Sequence, residues 1–256
     1  MKSIITRNQF RKNFLKEIIM RLDFQSILQT ELEAVLSSVK HYLKTKSFTR
    51  QGTLTDKTNS QIIYSFMDEV SGYTIKLSNT YVILRVNTAS YSPFEIYSEI
   101  FYDIISIIKQ NVDLFTTKRF GFRKINFCFV KNLENINKFF EPKYYSIEEP
   151  IDNIDINIIN RTSKLFIDNK NINIYCVIEH GEIEQETCFK VILDSDIYSK
   201  DENCIKSIFE DKEEISKIND ILFAIYQDAI TEYFAKILLS EENNIPEELL
   251  GVEYND

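Results

Sequence analysis

Two similar blocks of secondary structure can be recognised along this chain, each with short strands followed by one long amphipathic helix. In the first block, apolar stretches bounded by turn residues predict strands at 61–68, 73–77 and 81–87. A helix from Pro93 through Gln110 follows, with proline at its first position and a broad apolar face. The second block has predicted strands at 164–167, 172–180 and 188–193, then a helix over 213–239. This order predicts a duplicated α+β fold, in which antiparallel strands form a curved sheet and the helices pack on one face.

Further elements connect and flank these blocks. Apolar residues at spacings of three and four predict an amphipathic helix over 27–43. The segment 14–24 fits both helical and strand periods, and we favour a strand; a second strand is expected over 120–130. Two prolines, many asparagines and weak periodicity predict a connector over 132–160. The residues after Ser240 are expected to be loosely ordered or to form a docking strip.

Charge divides the chain into a basic unit, 1–143, and an acidic unit, 144–256, which we expect to pack as one compact body. The first unit has 21 Lys and Arg against 13 Asp and Glu, and the second has 9 against 26. Such polarity could make the units attract each other, provide a basic surface for an anionic partner, or repel nucleic acid. It is also consistent with two solvated faces that simply differ in composition.

Composition limits the class of protein. No apolar run approaches the roughly 20 residues of a membrane-spanning helix, and the first 30 residues lack the pattern of a secretory signal. We therefore expect a cytoplasmic protein without membrane contact. The cysteines at 128, 176, 188 and 204 are too dispersed for a typical zinc site, which favours buried thiols.

Catalytic and cofactor-binding motifs are not recognisable in the sequence. The five glycines are isolated, so no phosphate-binding loop is formed, and we expect no cofactor. His41 is placed near a helix end and His180 at a turn, where both are expected to play solvated structural roles. Asp194 and Asp196 are predicted at the end of an apolar strand, where paired carboxylates could hold a metal ion.

The densest polar and aromatic cluster is the predicted strand around Arg119 and Arg123. Side chains alternate along a strand, so these two arginines share one face with Gly121, while Phe120, Phe122 and Lys124 share the other. Aligned guanidinium groups beside a glycine could bind a carboxylate or phosphate. The candidate anion- or partner-binding residues are Lys118, Arg119, Arg123, Lys124 and Asn126. Alternatively, the arginines pair with acidic residues of the C-terminal half and hold the two units together.

The run from Arg119 to Asn126 resembles the Arg-Ile-Gly-Leu-Arg-Tyr-Ile-Asn motif of a sporadically distributed bacterial family of unknown function. Residues 15–19 resemble the first strand of that family, and residues 229–234 resemble its C-terminal helix. This chain has Lys124 where the family usually has an aromatic residue. The resemblance implies no established activity. By association with its sporadic distribution, it suggests a mobile-element, phage-defence or toxin–antitoxin context.

Three functions are consistent with these features. The first is a non-enzymatic binding or regulatory protein that contacts a protein partner or another copy of itself through a sheet edge or its aromatic helices. The second is nucleic-acid binding by the basic half, where arginines and lysines alternate with phenylalanines. The third is a metal-dependent hydrolase or nuclease that uses Asp194 and Asp196.

Overall fold

A computed structural model of the chain describes residues 9–56, 61–87, 93–145, 158–183, 186–242 and 244–254. The strands are β1 (Lys12–Asn13), β2 (Leu15–Phe24), β3 (Arg50–Asp56), β4 (Gln61–Asp68), β5 (Tyr73–Leu77), β6 (Tyr81–Asn87), β7 (Thr117–Val130), β8 (Ile158–Ile167), β9 (Lys170–Ile183), β10 (Glu186–Ser199), β11 (Leu249–Leu250) and β12 (Glu253–Tyr254). The helices are α1 (Gln29–Thr45), α2 (Phe94–Asn111), α3 (Ile136–Phe139), α4 (Pro142–Tyr145), α5 (Glu202–Glu210), α6 (Lys212–Ala229) and α7 (Glu232–Leu239).

One antiparallel sheet organises the molecule. Nine of its strands follow the order β3-β4-β5-β6-β2-β7-β10-β9-β8, and β11 pairs with the end of β7. The central strands β2 and β7 pair with each other, so the two blocks predicted from the sequence share a continuous sheet. The α+β fold with antiparallel strands is therefore confirmed.

Sheet order also shows the duplication. In each block a central strand, β2 or β7, leads through a helical segment to an outer strand. The chain then returns strand by strand to the centre and ends in long helices, α2 in the first block and α5 with α6 in the second. By this topology β7 begins the second block, although its sequence lies in the basic unit 1–143. The division into a basic and an acidic unit stays a prediction.

The helices pack on one face of the sheet because alternate strand residues there are apolar. Phe120 and Phe122 of β7 point to this face and contact phenylalanines of α2 and α5. Met20 and Leu22 of β2 are buried on the same face. Between Glu17 and Asp23 of β2 and between Arg119 and Ile125 of β7, odd-numbered residues point to the opposite face, which carries the arginines. No helix among the residues described is long and apolar enough to cross a membrane.

The prediction of a single helix over 213–239 is wrong, because the helix is interrupted at Ile230 and Thr231. The Thr231 side chain accepts a hydrogen bond from the Phe234 amide and thereby caps the start of α7. The Thr231 amide donates to the Phe139 carbonyl, and the Glu141 amide donates to Ala229. These long-range backbone bonds replace the helical hydrogen bonds at the break, and periodicity alone does not reveal them.

Two other predicted boundaries are wrong. Strand β8 begins at Ile158, within the predicted connector, and β10 continues to Ser199. Asp194 and Asp196 therefore lie within a strand rather than at its end, on the face opposite the helices. Helix α5 was not predicted; Asp201 caps it by accepting a hydrogen bond from the Cys204 amide.

A buried lysine fixes the N-terminal segment to the C-terminal segment. The Lys12 ammonium donates to the Ser240 carbonyl at 2.6 Å and the Glu242 carbonyl at 2.7 Å, just past the end of α7. Weaker bonds go to the Ile237 carbonyl and to Asn244 Oδ1, and the ammonium lies 4.9 Å from the centre of the Tyr254 ring. Pairing of β1 with β12 reinforces this contact. The tail is therefore docked over its described residues, so the first of the two expectations for it, a loosely ordered segment, is wrong.

Candidate binding surface

The arginines of β7 occupy the sheet face that the helices leave uncovered. Strand β7 lies between β2 and β10, and its register places Arg119 beside Asp23 and Arg123 beside Asp196. Asp194 lies two residues before Asp196 in β10, on the same face. Two basic residues thus lie among three acidic residues, two of them from the acidic C-terminal half.

Arg123 forms an ion pair with two hydrogen bonds to Asp194. Its Nε donates to Asp194 Oδ1 at 2.7 Å, and its Nη2 donates to the other oxygen of the same carboxylate. This two-bond geometry fixes both side chains and matches the planar guanidinium to the carboxylate. The hydrogen bonds to Asp194 raise the pKa of Arg123 above its already high ordinary value. Arg123 therefore already has an internal anionic partner.

Arg119 is held in a different way, folded back over its own strand. Its Nη2 donates to Asp196 at 3.3 Å, a nitrogen lies 3.8 Å from Asp23, and the guanidinium stacks 4.8 Å from the Tyr198 ring centre. A Cβ atom at Gly121 would lie only 3.0 Å from both terminal nitrogens. Gly121 thus provides the space that the Arg119 side chain occupies.

The remaining candidate site residues are separated from the two arginines. Lys118 is exposed at the start of β7. Lys124 points to the helix-covered face, with Nζ 5.8 Å from the Phe122 ring centre. Asn126 is buried and donates to the Leu193 carbonyl at 3.1 Å. The structure therefore brings together only Arg119 and Arg123, and it places them among carboxylates. Their role in binding an anion or a partner stays a prediction.

A small cavity of about 250 Å³ lies against this cluster and is lined by Arg123, Tyr175, Asp194 and Asp196. Burial raises the pKa of Asp196; the two arginines oppose this shift, and Asp194 adds to it. Over the described ranges, no group of three or more His, Cys, Asp and Glu residues is placed to hold a metal ion. Asp194 and Asp196 instead act as hydrogen-bond acceptors for the arginines.

We predict that Gly121 and Arg119 are energetically coupled. In the wild-type chain, Gly121→Ala displaces the guanidinium, which offsets the gain of alanine over glycine in a strand. In an Arg119→Ala background the same substitution is expected to stabilise by about 0.5–1 kcal/mol. The coupling free energy from urea unfolding of the four variants should be about 1 kcal/mol. Equal effects of Gly121→Ala in the two backgrounds would show that Arg119 does not use this space.

The histidines and cysteines lie apart from this cluster. His41 and His180 are exposed, as expected for solvated positions. All four cysteines are free and buried. Burial raises the pKa of the Cys176 thiol to about 11, so this thiol is neutral near pH 7.

The two ends of the sheet differ in how they meet solvent. At one end β8 has three consecutive exposed apolar residues, and Phe166 is 67% exposed between Leu165 and Ile167. Strand β9 is the only strand paired with β8 over the described ranges. At the other end β3 is shorter and has one exposed large apolar residue, Leu54. Part of β8 was predicted from the sequence, but its position at the edge of the sheet was not.

Known proteins give no information about the function of this chain. No family model matches the chain, and no curated protein matches it. The chain has a distant likeness to the crystal structure of the di-domain ARO/CYC StfQ from the steffimycin biosynthetic pathway. That comparison has 8% identity and a TM-score of 0.22, and covers 90% of this chain and 99% of that chain. A likeness at that TM-score carries no argument about fold or function.

Proposed function

We propose that this chain is a non-enzymatic binding protein that acts through protein–protein contacts at the edge strand β8. The observation that carries the proposal is the exposed apolar run Leu165–Phe166–Ile167 on a ten-residue strand that, within the described part of the chain, is paired on one side. An edge strand offers backbone N–H and C=O groups to an added strand, and exposed apolar side chains add burial. Together these features are suited to strand addition.

The arginine cluster gives less support to the other two functions. Arg119 and Arg123, the centre of the predicted nucleic-acid surface, already pair with Asp196 and Asp194. A nucleic acid would have to displace these carboxylates, which reduces the gain from phosphate contacts. Asp194 and Asp196 would likewise have to leave the arginines to bind a metal ion. Protein contact at β8 requires no such rearrangement.

We place this binding function in the cytoplasm. Free, buried cysteines are typical of proteins in reducing compartments, where disulfides are rare. The mobile-element or phage-defence context stays a prediction from the family resemblance.

A matched pair of edge variants tests the proposed function. Leu165 of β8 and Leu54 of β3 are 50% and 52% exposed, so lysine at either position should leave the core intact. The measurement is the amount of protein captured by the purified tagged chain, another copy of itself included. We expect Leu165→Lys to reduce this amount at least tenfold, while Leu54→Lys captures as much as the wild type. Far-UV circular dichroism of both variants checks that they fold. Equal capture by the wild type and both variants would place the contact elsewhere and overturn the proposal.

A further inference from the structure

The sequence of β8 has a polarity pattern that is symmetric about Thr162. Moving outward from Thr162, the positions pair as Arg161 with Ser163, Asn160 with Lys164, and Ile159 with Leu165. A two-fold interface favours such a pattern. Residues equally far from the axis on its two sides lie opposite each other in the two copies, so their side chains must be compatible. Resting on the proposed function, we infer that the partner at β8 is a second copy of this chain, added antiparallel with Thr162 opposite Thr162.

Backbone geometry makes β8 suitable for this pairing. Strands β8 and β9 are joined by a two-residue turn, and Asp168 and Asn169 have φ angles of 47° and 59°. Such turns are flanked by a hydrogen-bonded pair, here Ile167 with Lys170. Bonded pairs recur at every second residue, so odd-numbered residues of β8 bond to β9. Even-numbered residues, Thr162 among them, direct their N–H and C=O groups to the open edge.

Three nearby registers are less favourable. Antiparallel pairing keeps side chains on their own faces only when the register shifts by whole pairs of positions. A two-fold axis at Arg161 would place the two copies of Arg161 directly opposite each other, and an axis at Lys164 would do the same with Lys164. Like charges in directly opposite positions are destabilising. A two-fold at Ser163 would place Arg161 opposite Leu165. The register at Thr162 avoids both conflicts, pairs the apolar residues Ile159 and Leu165, and adds a threonine–threonine pair.

Long-range charge gives the proposed dimer a distinctive salt response. Each chain has a net charge of −9, and each β8 edge contributes the cations Arg161 and Lys164. The net negative charges of two copies repel each other, and so do the cations of their β8 edges. Added salt screens both repulsions and should therefore strengthen the dimer. An acidic polymer bound at β8 would instead be released by salt. The sign of the salt effect therefore distinguishes a second copy from an anionic partner.

Cysteine cross-linking tests the register. Directly opposite residues in a bonded antiparallel pair have Cα atoms about 5.5 Å apart, which a disulfide can bridge. In the proposed register the two copies of residue 162 meet this condition, whereas those of residue 164 lie roughly 13 Å apart along the strands. Both positions are exposed, and the four native cysteines are buried. Under mild oxidation we expect Thr162→Cys to give mostly covalent dimer and Lys164→Cys at most a tenth as much.

The outcomes separate this inference from the function on which it rests. If Thr162→Cys stays monomeric, or if Lys164→Cys cross-links equally well, the second-copy pairing at Thr162 is wrong. If the Leu165-dependent capture then persists with a different protein, the proposed function survives and only the identity of the partner changes. If capture does not depend on Leu165, both fail. Circular dichroism of the two cysteine variants confirms that each is folded before oxidation.

Discussion

Phe234→Ala is expected to lower the free energy of unfolding by about 3–5 kcal/mol, the usual cost of removing a fully buried aromatic ring. Phe234 is inaccessible to solvent, and its ring centre lies 5.3 Å from Phe14, 5.6 Å from Phe139 and 5.4 Å from Phe140. These partners come from the segment before β2, from α3 and from the residue after α3. The cavity would therefore loosen contacts between both halves of the chain.

The neighbouring residue provides the control for this prediction. Tyr233 lies in the same helix turn but is 43% exposed. Tyr233→Ala should cost less than about 1 kcal/mol, because nearly half of the Tyr233 surface is already in contact with water in the folded chain. Urea unfolding followed by circular dichroism measures both variants. A similar, small loss for the two would contradict the placement of Phe234 at the centre of the core.

Lys12→Met is expected to destabilise the chain by about 2–3 kcal/mol, since it leaves buried carbonyl acceptors without a donor. The Lys12 ammonium donates strongly to the carbonyls of Ser240 and Glu242, and methionine retains the stem but none of these bonds. Burial of the ammonium lowers the pKa of Lys12, and Glu242 opposes that shift. We expect the tail that carries β11 and β12 to become sensitive to proteolysis in this variant.

Arg11 is the matched control for Lys12. It forms an ion pair with Glu241, and both side chains are largely exposed. Exposed pairs contribute little, so Arg11→Met should change the unfolding free energy by no more than about 0.5 kcal/mol. Limited proteolysis and urea unfolding measure both variants. If Lys12→Met unfolds like Arg11→Met, the ammonium does not hold the tail.

Local periodicity predicted much of the fold but not its assembly. The strand interpretation of residues 14–24 and the helix over 27–43 are confirmed with small shifts, because both depend on side-chain spacing. The order of the strands depends on contacts between distant segments, such as β2 with β7. The break between α6 and α7 depends on the backbone bond from Thr231 to Phe139. The spacing of apolar residues along the chain therefore predicts neither the strand order nor the interruption between α6 and α7.

The candidate site shows the same limit. Alternation along β7 correctly placed Arg119 and Arg123 on one face, and one of the two sequence interpretations had them paired with acids of the C-terminal half. The role of Gly121 could not be predicted, because it depends on the conformation of the Arg119 side chain. Lys12 gave no signal at all, since an isolated lysine between polar residues usually indicates exposure.

The measurement that most directly tests the pairing of two copies at the β8 edge is the molar mass of the purified chain by light scattering across a range of concentrations. We expect a monomer of 30.2 kDa at low concentration, with a molar mass that approaches twice this value as concentration or salt rises. Leu165→Lys should stay monomeric, and Leu54→Lys should follow the wild type. A wild-type chain that stays monomeric throughout, or a dimer lost equally in both variants, would contradict it.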